Sequence, residues 1–514
     1  MSEFPTWQQG IHQDYPPLRG LCRVDAVVVG GGLAGVTAAL MLSENGVRTA
    51  LLEARALAEG ATAGCAGMIT CQAIHALTTA ARSRDMAVVR SYAQLMREAV
   101  AGVIELAQRL PQPCDITTCD AYAFAETEDD LPALRRLMAL ERELGLPVAE
   151  GTDAGGCPFP VERSALMKHQ GLLSPLPYVL GMAEAAALLG CQIYEQSPVR
   201  RLEGHRLTTP QGVVEASWVI LCTGAPLDCH DRSLLALMAP RLRELRLLTS
   251  AAPLHSAQLS VHSDEMTLRP CQEGLLMTWD RGAYGTDQAD STALIRDRTL
   301  RTLLPESETR QVILRREVFS RDGLPLVGPL HPRDSRLMMA TGFGGLGLTG
   351  SFLAARLLTG AVIGRPLPES PLFLPFRRYP GRSAFDRSAL LASAKAFVHG
   401  LTSPGTPKCP HMGCPLRYNA DSGLWECPCH GSSFDILGQV EAAPAIQDAA
   451  LSPRDRPQNS KRGQKRSWPR SRFIPPCRRF PLPQNQDRPP AYARIPSATH
   501  PHGCPRNSVC ARRR

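Results

Sequence analysis

Cysteine and histidine side chains near the C-terminus stand in two short motifs with metal-ligand spacing. The motifs are Cys409-Pro-His411-Met-Gly-Cys414 and, twelve residues later, Cys427-Pro-Cys429-His430. Two thiolates and two imidazoles can close a tetrahedral zinc site. Each motif here carries an additional cysteine, which is not a usual zinc-finger spacing, so the spacing argues against zinc and leaves it as an alternative.

A glycine pattern near the N-terminus is typical of a dinucleotide-binding turn. Gly30, Gly32 and Gly35 follow an apolar, strand-like run at residues 24–29 and precede an apolar, helix-like run at residues 36–42. The first glycine permits the tight turn, the second lets the backbone approach a pyrophosphate, and the third lets the helix pack closely on the strand. The pattern predicts a βαβ opening that binds a dinucleotide.

An acidic residue stands where the adenosine ribose of such a cofactor would lie. Glu53 comes 23 positions after Gly30 and follows a second strand-like run at residues 47–52. A carboxylate at this position accepts hydrogen bonds from a free 2′-hydroxyl group and disfavours a 2′-phosphate. FAD or NAD is therefore expected rather than NADP.

Four further segments resemble, in order and spacing, those of the D-amino-acid oxidase-like (DAO) flavoproteins. They are Thr62-Ala-Gly-Cys-Ala-Gly67, Val219-Ile-Leu-Cys-Thr-Gly224, Asp322-Gly-Leu-Pro-Leu-Val-Gly328 and Ala340-Thr-Gly-Phe-Gly-Gly-Leu-Gly-Leu-Thr-Gly350. The resemblance covers residues 20 to 370 and implies FAD as the cofactor. It also implies an α/β fold, with a Rossmann-like FAD-binding domain of the GR2 type and an α+β substrate domain.

The same resemblance implies contacts between individual residues and FAD. The backbone of Val199 would contact the adenine, and Gly224 would lie beside the cofactor. Candidate polar contacts beneath the flavin are Thr62, Thr70 and Gln72. These positions are expectations that follow from the resemblance alone.

A second glycine turn would bring main-chain groups to the flavin ring. Its members are Gly342, Gly344, Gly345 and Gly347, and an apolar helix follows them. The partial positive charge of a helix N-terminus would stabilise the reduced, anionic flavin. For Gly344 and Gly345 the alternative is a purely structural role in helix–sheet packing.

The cysteine and histidine motifs resemble those of Rieske 2Fe–2S proteins, in which two cysteines bind one iron and two histidines bind the other. The resemblance implies Cys409 and Cys427 on the first iron, His411 and His430 on the second, and a Cys414–Cys429 disulfide between the loops. The body with this module resembles bacterial FAD-dependent oxidoreductases that carry a C-terminal Rieske domain.

Two further residues of the module would tune the cluster. Ser432 stands where Rieske proteins often have a hydroxyl bonded to a bridging sulfide, and Phe434 where high-potential members have a tyrosine. The loss of one donor to sulfur leads us to expect a potential below the top of the range of roughly −150 to +300 mV.

Some reactive residue types in the body have a simpler interpretation. Cys65 is expected to fill apolar space, and His75 and His255 are expected to be structural or surface histidines. The sequence therefore identifies no catalytic base.

The positive charge of the chain is confined to its tail. The 514 residues carry a formal net charge of +9, but residues 451–514 hold sixteen Lys and Arg against two acids. The remaining residues carry 41 basic and 46 acidic side chains. Nucleic acid is therefore not expected as a partner. Peripheral membrane contact through the tail cluster of Lys461, Arg462, Lys465 and Arg466 is a minor alternative to a solvated tail.

The pattern along the chain predicts five regions. These are an N-terminal arm (1–20), a DAO-like oxidoreductase (21–380), a linker (381–406), a small all-β Rieske module (407–447) and a disordered, basic, proline-rich tail (448–514). The FAD-binding parts are expected at 21–80, 165–233 and 318–366, and the substrate-domain parts at 85–160 and 234–317. Residues 80–144 have a helical, mixed-charge pattern.

The two implied cofactors favour an FAD-dependent dehydrogenase of an amine or amino acid that passes electrons through the cluster to an external acceptor. The alternative is an electron-transfer protein without a small-molecule substrate. Ten of the 17 cysteines are scattered between Cys22 and Cys271, and the N-terminal residues lack the pattern of a secretory signal. No segment is typical of a transmembrane helix. A cytoplasmic location is therefore expected.

Overall fold

The computed structural model describes residues 14–151, 154–249, 254–262, 265–286, 288–377, 406–452 and 455. The chain divides into two compact units, Met1–Pro457 and Gln458–Arg514. Residues 1–13, the predicted linker up to residue 405, and the predicted tail beyond residue 455, with its lysine and arginine cluster, lie outside the described residues.

Three of the helices form a buried layer because they are apolar on nearly every side. These are α1, α5 and α8, and α1 packs against the other two. The α-helices are α1 (Leu33–Glu44), α2 (Ile74–Ser83), α3 (Met86–Arg109), α4 (Leu131–Glu143), α5 (Pro175–Leu188), α6 (Arg232–Leu235), α7 (Gln288–Leu303) and α8 (Gly347–Val362). Short 3-10 turns lie at Ala61–Gly64, Glu128–Asp130 and Ser370–Phe373.

The strands fall into three sheets. In chain order they are β1 (Gly20–Val29), β2 (Thr49–Leu52), β3 (Met68–Ile69), β4 (Thr117–Ala125), β5 (Val148–Gly151), β6 (Arg163–Leu172), β7 (Gln192–Tyr194), β8 (Arg201–Glu203), β9 (Arg206–Thr208), β10 (Gly212–Leu221), β11 (Met238–Leu248), β12 (Ala257–Ser260), β13 (Thr267–Cys271), β14 (Gly274–Ala283), β15 (Thr309–Ser320), β16 (Leu326–His331), β17 (Asp334–Thr341), β18 (Arg417–Asn419), β19 (Leu424–Glu426), β20 (Ser433–Phe434) and β21 (Val440–Ala442).

The first sheet has the order β16-β17-β10-β1-β2-β7, with β9 on β10 and β8 on β9. Strands β17, β10, β1, β2 and β7 run parallel, and the apolar ends of β1, β2 and β10 are buried. Val29 pairs with Leu52 on one side and with Leu221 on the other. The residues that follow these strands therefore lie at one edge of the sheet, where Rossmann-like folds bind dinucleotides.

The second sheet has the order β15-β11-β14-β13-β12-β4-β6-β3, with β5 on β6. Its long antiparallel strands β11 and β14 and most of β15 lie within the predicted substrate-domain range 234–317. A bridge between Phe319 and Phe343 ties the end of β15 to the second glycine turn. The third sheet is the antiparallel meander β18-β19-β20-β21 of the small module.

The helical prediction for residues 80–144 is wrong over part of its length. Strand β4 interrupts the helices, because Thr117–Ala125 pairs with β6 and β12. Strand β6 lies within the range predicted to bind FAD but belongs to the second sheet. The small module continues past residue 447, since the Ala449 N–H donates to Gly438 O at 2.7 Å and Ala449 is buried.

Candidate functional site

The first glycine turn has the close packing that its sequence predicts. Gly30 has φ of +109°, and a Cβ atom there would lie 2.4 Å from Cys222 O. A Cβ atom at Gly35 would lie 1.8 Å from Gly30 O. Only glycine therefore lets the start of α1 approach the ends of β1 and β10 so closely.

The carboxylate of Glu53 caps this turn at the end of β2. Its Oε2 accepts the Gly31 N–H at 2.6 Å, and its Oε1 accepts the Arg55 N–H at 2.9 Å. The side chain is thereby fixed at the carboxyl edge of the first sheet, where the sequence predicts the ribose contact. Val199 is buried in the apolar cluster that includes Leu52 and Leu221. The contacts of both residues with FAD stay predictions.

The segment from Thr62 to Thr70 links the two glycine turns. Thr62 Oγ1 accepts the Leu33 N–H at 3.1 Å, beside Gly32 of the first turn. The Thr349 hydroxyl donates to Thr70 O at 3.2 Å, at the start of α8. A cofactor that follows this segment would therefore extend from the first turn to the second.

Positive φ angles shape the second glycine turn. The values at Gly342, Gly344 and Gly345 are +80°, +58° and +85°, and α8 begins at Gly347. A Cβ atom at Gly345 would meet no atom within 4 Å, so open space lies beside the turn. Gly224 lies beside the start of this turn, because its carbonyl accepts the hydroxyl of Thr341, the residue before Gly342, at 2.5 Å. These residues fit the flavin end of FAD.

Charged side chains on and beside the second sheet lie near this region, and no sequence motif identifies them. Glu317 Oε1 accepts the Gly345 N–H at 3.0 Å. Arg243 lies 3.2 Å from Glu265 Oε2 and 3.9 Å from Glu317 Oε2. Arg241 forms an ion pair with Asp280. Strand residues far apart in sequence give no local motif, so only their placement in the sheet identifies this group.

The expectations for the three reactive side chains of the body agree with their surroundings. Burial raises the pKa of Cys65 to about 11, which keeps the thiol neutral and suits a filler of apolar space. His75 Nδ1 lies 2.8 Å from Glu265 Oε1, and its ring packs edge-on against Phe319. His255 is exposed.

The cysteine loops of the small module bring their sulfur atoms together. The Sγ atoms of Cys414, Cys427 and Cys429 lie within 4.8 Å of one another. The Cys427 thiol, neighbouring N–H groups and the Ser432 hydroxyl lower the pKa of Cys409 against its burial. Cys414 and Cys429 are free thiols here, so their disulfide stays a prediction.

The two histidines have the form that metal ligation requires. His411 Nε2 lies 2.6 Å from Cys229 O, which can only accept, so Nε2 carries the proton and Nδ1 has a lone pair. The Nδ1 atoms of His411 and His430 are both buried without a hydrogen-bond partner among the described residues. Burial lowers the pKa of His411 and lowers that of His430 to about 4, so both rings are neutral at pH 7. The residues present fit a mixed-ligand iron cluster.

The two predicted tuning residues lie behind these loops. Ser432 is buried, and its Oγ accepts the Ala445 N–H at 3.1 Å while the hydroxyl also interacts with Cys409. Phe434 is fully buried in the apolar core of the module, which includes Trp425. Phe434 therefore offers the loops apolar contact and no hydrogen bond.

The module is docked on the oxidoreductase body through an arginine. Arg316 Nη1 donates to Gly431 O at 3.0 Å and to Ala443 O at 2.5 Å, and Nη2 donates to Thr223 O at 3.5 Å. Gly431 follows a predicted iron ligand, and Thr223 precedes a predicted FAD contact. Arg316 thus joins the two candidate cofactor sites.

Further contacts surround this arginine. Arg55 Nη1 donates to Glu441 O at 2.9 Å, and the Asp228 N–H donates to Pro444 O at 2.9 Å. Arg200 forms a partly exposed ion pair with Asp448 at 2.9 Å.

No described helix is both long and apolar enough to cross a membrane.

Comparisons with known proteins cover both parts of the chain. The family model described as FAD dependent oxidoreductase matches residues 25–361, and the model described as Rieske 2Fe–2S domain matches residues 402–453. The Rieske 2Fe–2S iron-sulfur protein YhfW of Bacillus subtilis is 24% identical over 499 residues, which cover 84% of this chain and 94% of that protein. This relative therefore matches both regions together.

Two other proteins match one region each. The ubiquinol-cytochrome c reductase iron-sulfur subunit of Blastochloris viridis is 43% identical over 54 residues, 10% of this chain and 30% of that subunit. The structure of glycine oxidase from Geobacillus kaustophilus superposes with a TM-score of 0.56 at 21% identity, over 67% of this chain and 96% of that protein. The structural likeness supports the DAO-like fold. The chain belongs to the FAD-dependent oxidoreductase family and carries a C-terminal Rieske domain, so that it binds FAD and a 2Fe–2S cluster.

Proposed function

We propose that this oxidoreductase is a dehydrogenase of an amine or amino acid and that its electrons leave through the Rieske cluster to an external acceptor. When bound, FAD supplies two-electron oxidation and the cluster supplies one-electron transfer. The matched glycine oxidase acts, by its name, on an amino acid. That likeness supports a nitrogen-containing substrate.

The observation that carries the proposal is the contact made by Arg316. Its guanidinium donates to Thr223 O on the FAD side and to Gly431 O on the cluster side. One side chain therefore spans the distance between the two cofactor-binding loops. His411 also points its Nε2 atom at the body, toward Cys229 O, which supports electron transfer within the chain.

The same proposal assigns the individual contacts. FAD would be held by Gly30, Gly32, Gly35, Glu53, Thr62, Val199, Gly224 and the turn of Gly342, Gly344, Gly345 and Gly347. The cluster would be held by Cys409, Cys427, His411 and His430. Cys414 and Cys429 would be joined in the mature module, since their Sγ atoms lie within 4.8 Å of each other.

A group of charged side chains near the second glycine turn favours an enzyme over a simple electron carrier. Arg241, Arg243, Glu265 and Glu317 form this group. An electron carrier without a small-molecule substrate needs no such group beside its flavin. A cytoplasmic location is proposed as well, because the body cysteines are free thiols.

An anaerobic titration of the purified holoprotein tests this function. Amines and amino acids are added in turn, and the flavin is followed by absorbance and the cluster by EPR. We expect at least one compound to bleach the flavin band and to produce the EPR signal of a reduced Rieske cluster. Bleaching without that signal would contradict electron transfer within the chain, and no bleaching by any compound would favour the electron-transfer alternative.

A further inference from the structure

A carboxylate of the second sheet is fixed beside the turn where the proposed function places the flavin ring. Glu317 lies on β15, two residues before the Phe319 that bridges to Phe343. Its Oε1 accepts the Gly345 N–H at 3.0 Å. A carboxyl oxygen therefore lies next to the open space beside Gly345.

The face of the second sheet that carries Glu317 packs against the segment from Thr62 to Thr70. Residue pairs across antiparallel strands share a face, and Arg241 pairs with Glu317 while Arg243 pairs with Arg315. A Cβ atom at Gly64 would lie 2.8 Å from Arg315 Cγ. The Glu317 side chain retains 23% of its exposure, so part of its surface is not covered by protein.

Two arginines on this face already have ion-pair partners. Arg241 pairs with Asp280, and Arg243 lies 3.2 Å from Glu265 Oε2. Glu265 has a second partner in His75. Glu317 is less compensated than either acid, since its ion pair with Arg243 measures 3.9 Å. Of these three acids, Glu317 is therefore the one with most room for a further cationic partner.

We propose that Glu317 binds the substrate nitrogen and that the substrate is a primary or secondary amine without a carboxylate on the carbon next to that nitrogen. This inference rests on the proposed function and narrows its substrate class. An α-carboxylate beside that nitrogen would approach Glu317, where like charges repel, and Arg241 and Arg243 of this face are already paired with acids.

Matched ligand pairs test the substrate class on the unaltered holoprotein. The pairs are pyrrolidine with proline, dimethylamine with sarcosine, and phenethylamine with phenylalanine. Binding is measured from the change in the flavin absorption spectrum, and flavin reduction is recorded in the same samples. We expect the amine of each responsive pair to bind at least about tenfold more tightly than its carboxylated partner.

Three results overturn the inference. They are tighter or equal binding of the carboxylated members, flavin reduction by those members alone, and no spectral response to any amine. Flavin reduction by the amino acids alone would leave the proposed function standing. Failure of every compound to reduce the flavin would count against the proposed function itself.

A substitution tests whether Glu317 binds the amine. Glu317→Gln keeps an oxygen that can accept the Gly345 N–H but removes the charge. We expect at least about tenfold weaker amine binding with an unchanged flavin content. Glu308→Gln, on an exposed residue just before the other end of β15, is the matched control and should bind amines as the parent does. Unchanged amine binding by Glu317→Gln overturns the inference. If Glu317→Gln loses FAD, the inference is decided by the binding of the matched ligand pairs to the unaltered holoprotein.

Discussion

The tautomer of a single histidine connects the sequence motif to its chemistry. Spacing identifies His411 as a candidate ligand, but it gives no information on which ring nitrogen is available. The Cys229 carbonyl binds the Nε2 proton and leaves Nδ1 for a metal. The ligand could thus be predicted from sequence, whereas its orienting partner, 182 residues away, could not.

Ser432 should raise the potential of the cluster, because a hydroxyl near sulfur stabilises the extra negative charge of the reduced state. For Ser432→Ala we predict a fall of about 60 mV, the shift produced by a tenfold change in a one-electron equilibrium. Redox titration followed by EPR measures it. Ser422→Ala removes a hydroxyl that bonds to Glu426 in the same module and should leave the potential unchanged. An unchanged potential in Ser432→Ala would rule out this role.

Glu141 on α4 should make stability depend on pH. Burial raises its pKa to about 8 from an ordinary value of 4.5, against the opposing effects of Gln72 and Arg142. Between these values the unfolded state releases the proton while the folded state keeps it, so the folded state loses stability as pH rises to about 8. Each pKa unit corresponds to about 1.4 kcal/mol.

Glu141→Gln should remove this dependence. Thermal unfolding is measured at pH 5 and pH 9. We expect the Tm of the variant, relative to that of the parent, to be higher at pH 9 than at pH 5. Glu143→Gln, an exposed neighbour on the same helix, is the control and should follow the parent. Equal pH dependence in parent and Glu141→Gln would refute the buried, protonated carboxyl.

At the scale of elements, patterns with a local cause could be predicted and those with a distant cause could not. The βαβ opening was predictable because each glycine serves the turn in which it stands. Strand β4 was not, because its neighbours α3 and α4 have strong helical patterns and its pairing with β12 joins residues far apart in sequence. Tertiary pairing outweighs local propensity in such a segment.

The docking of the module through Arg316 carries a prediction about electron transfer. Arg316→Ala removes the donor shared by Thr223 O and Gly431 O. We expect cluster reduction to slow by at least about tenfold, since small displacements of positioned groups have large effects on rate. Flavin and cluster absorbance, followed after photochemical reduction of the flavin, measure this step.

Arg200→Ala is the matched control for that experiment. Arg200 also contacts the module, through Asp448, but this ion pair is partly exposed and involves neither Thr223 nor Gly431. Its loss should leave the transfer rate within about twofold of the parent, as expected for a surface ion pair. Equal slowing in both variants would show that Arg316 contributes only to docking.

For the whole molecule, the sequence predicts the two cofactor-binding parts and their order, but not the group of charged side chains near the second glycine turn. Arg243, Glu265 and Glu317 come from separate segments and meet only in the folded second sheet. The module boundary was also hidden, because Leu451 packs against the module core although the residues that follow it in sequence are mostly polar or charged.

That boundary gives a prediction for truncated chains. A chain that ends at Pro457 should keep the flavin, iron and turnover of the full protein, because it retains every described residue. A chain that ends at residue 447 should lose iron, since it lacks the Ala449 N–H that donates to Gly438 O. Equal iron content in the two truncated chains would contradict this assignment of the module.

The central claim is that one polypeptide holds FAD together with a cluster of mixed cysteine and histidine ligation. Quantification of flavin, iron, zinc and acid-labile sulfide in the purified holoprotein tests this most directly. We predict about one FAD, two iron and two sulfide per chain, as a 2Fe–2S centre requires. Stoichiometric zinc without sulfide, or a chain that retains no flavin after reconstitution, would contradict the account.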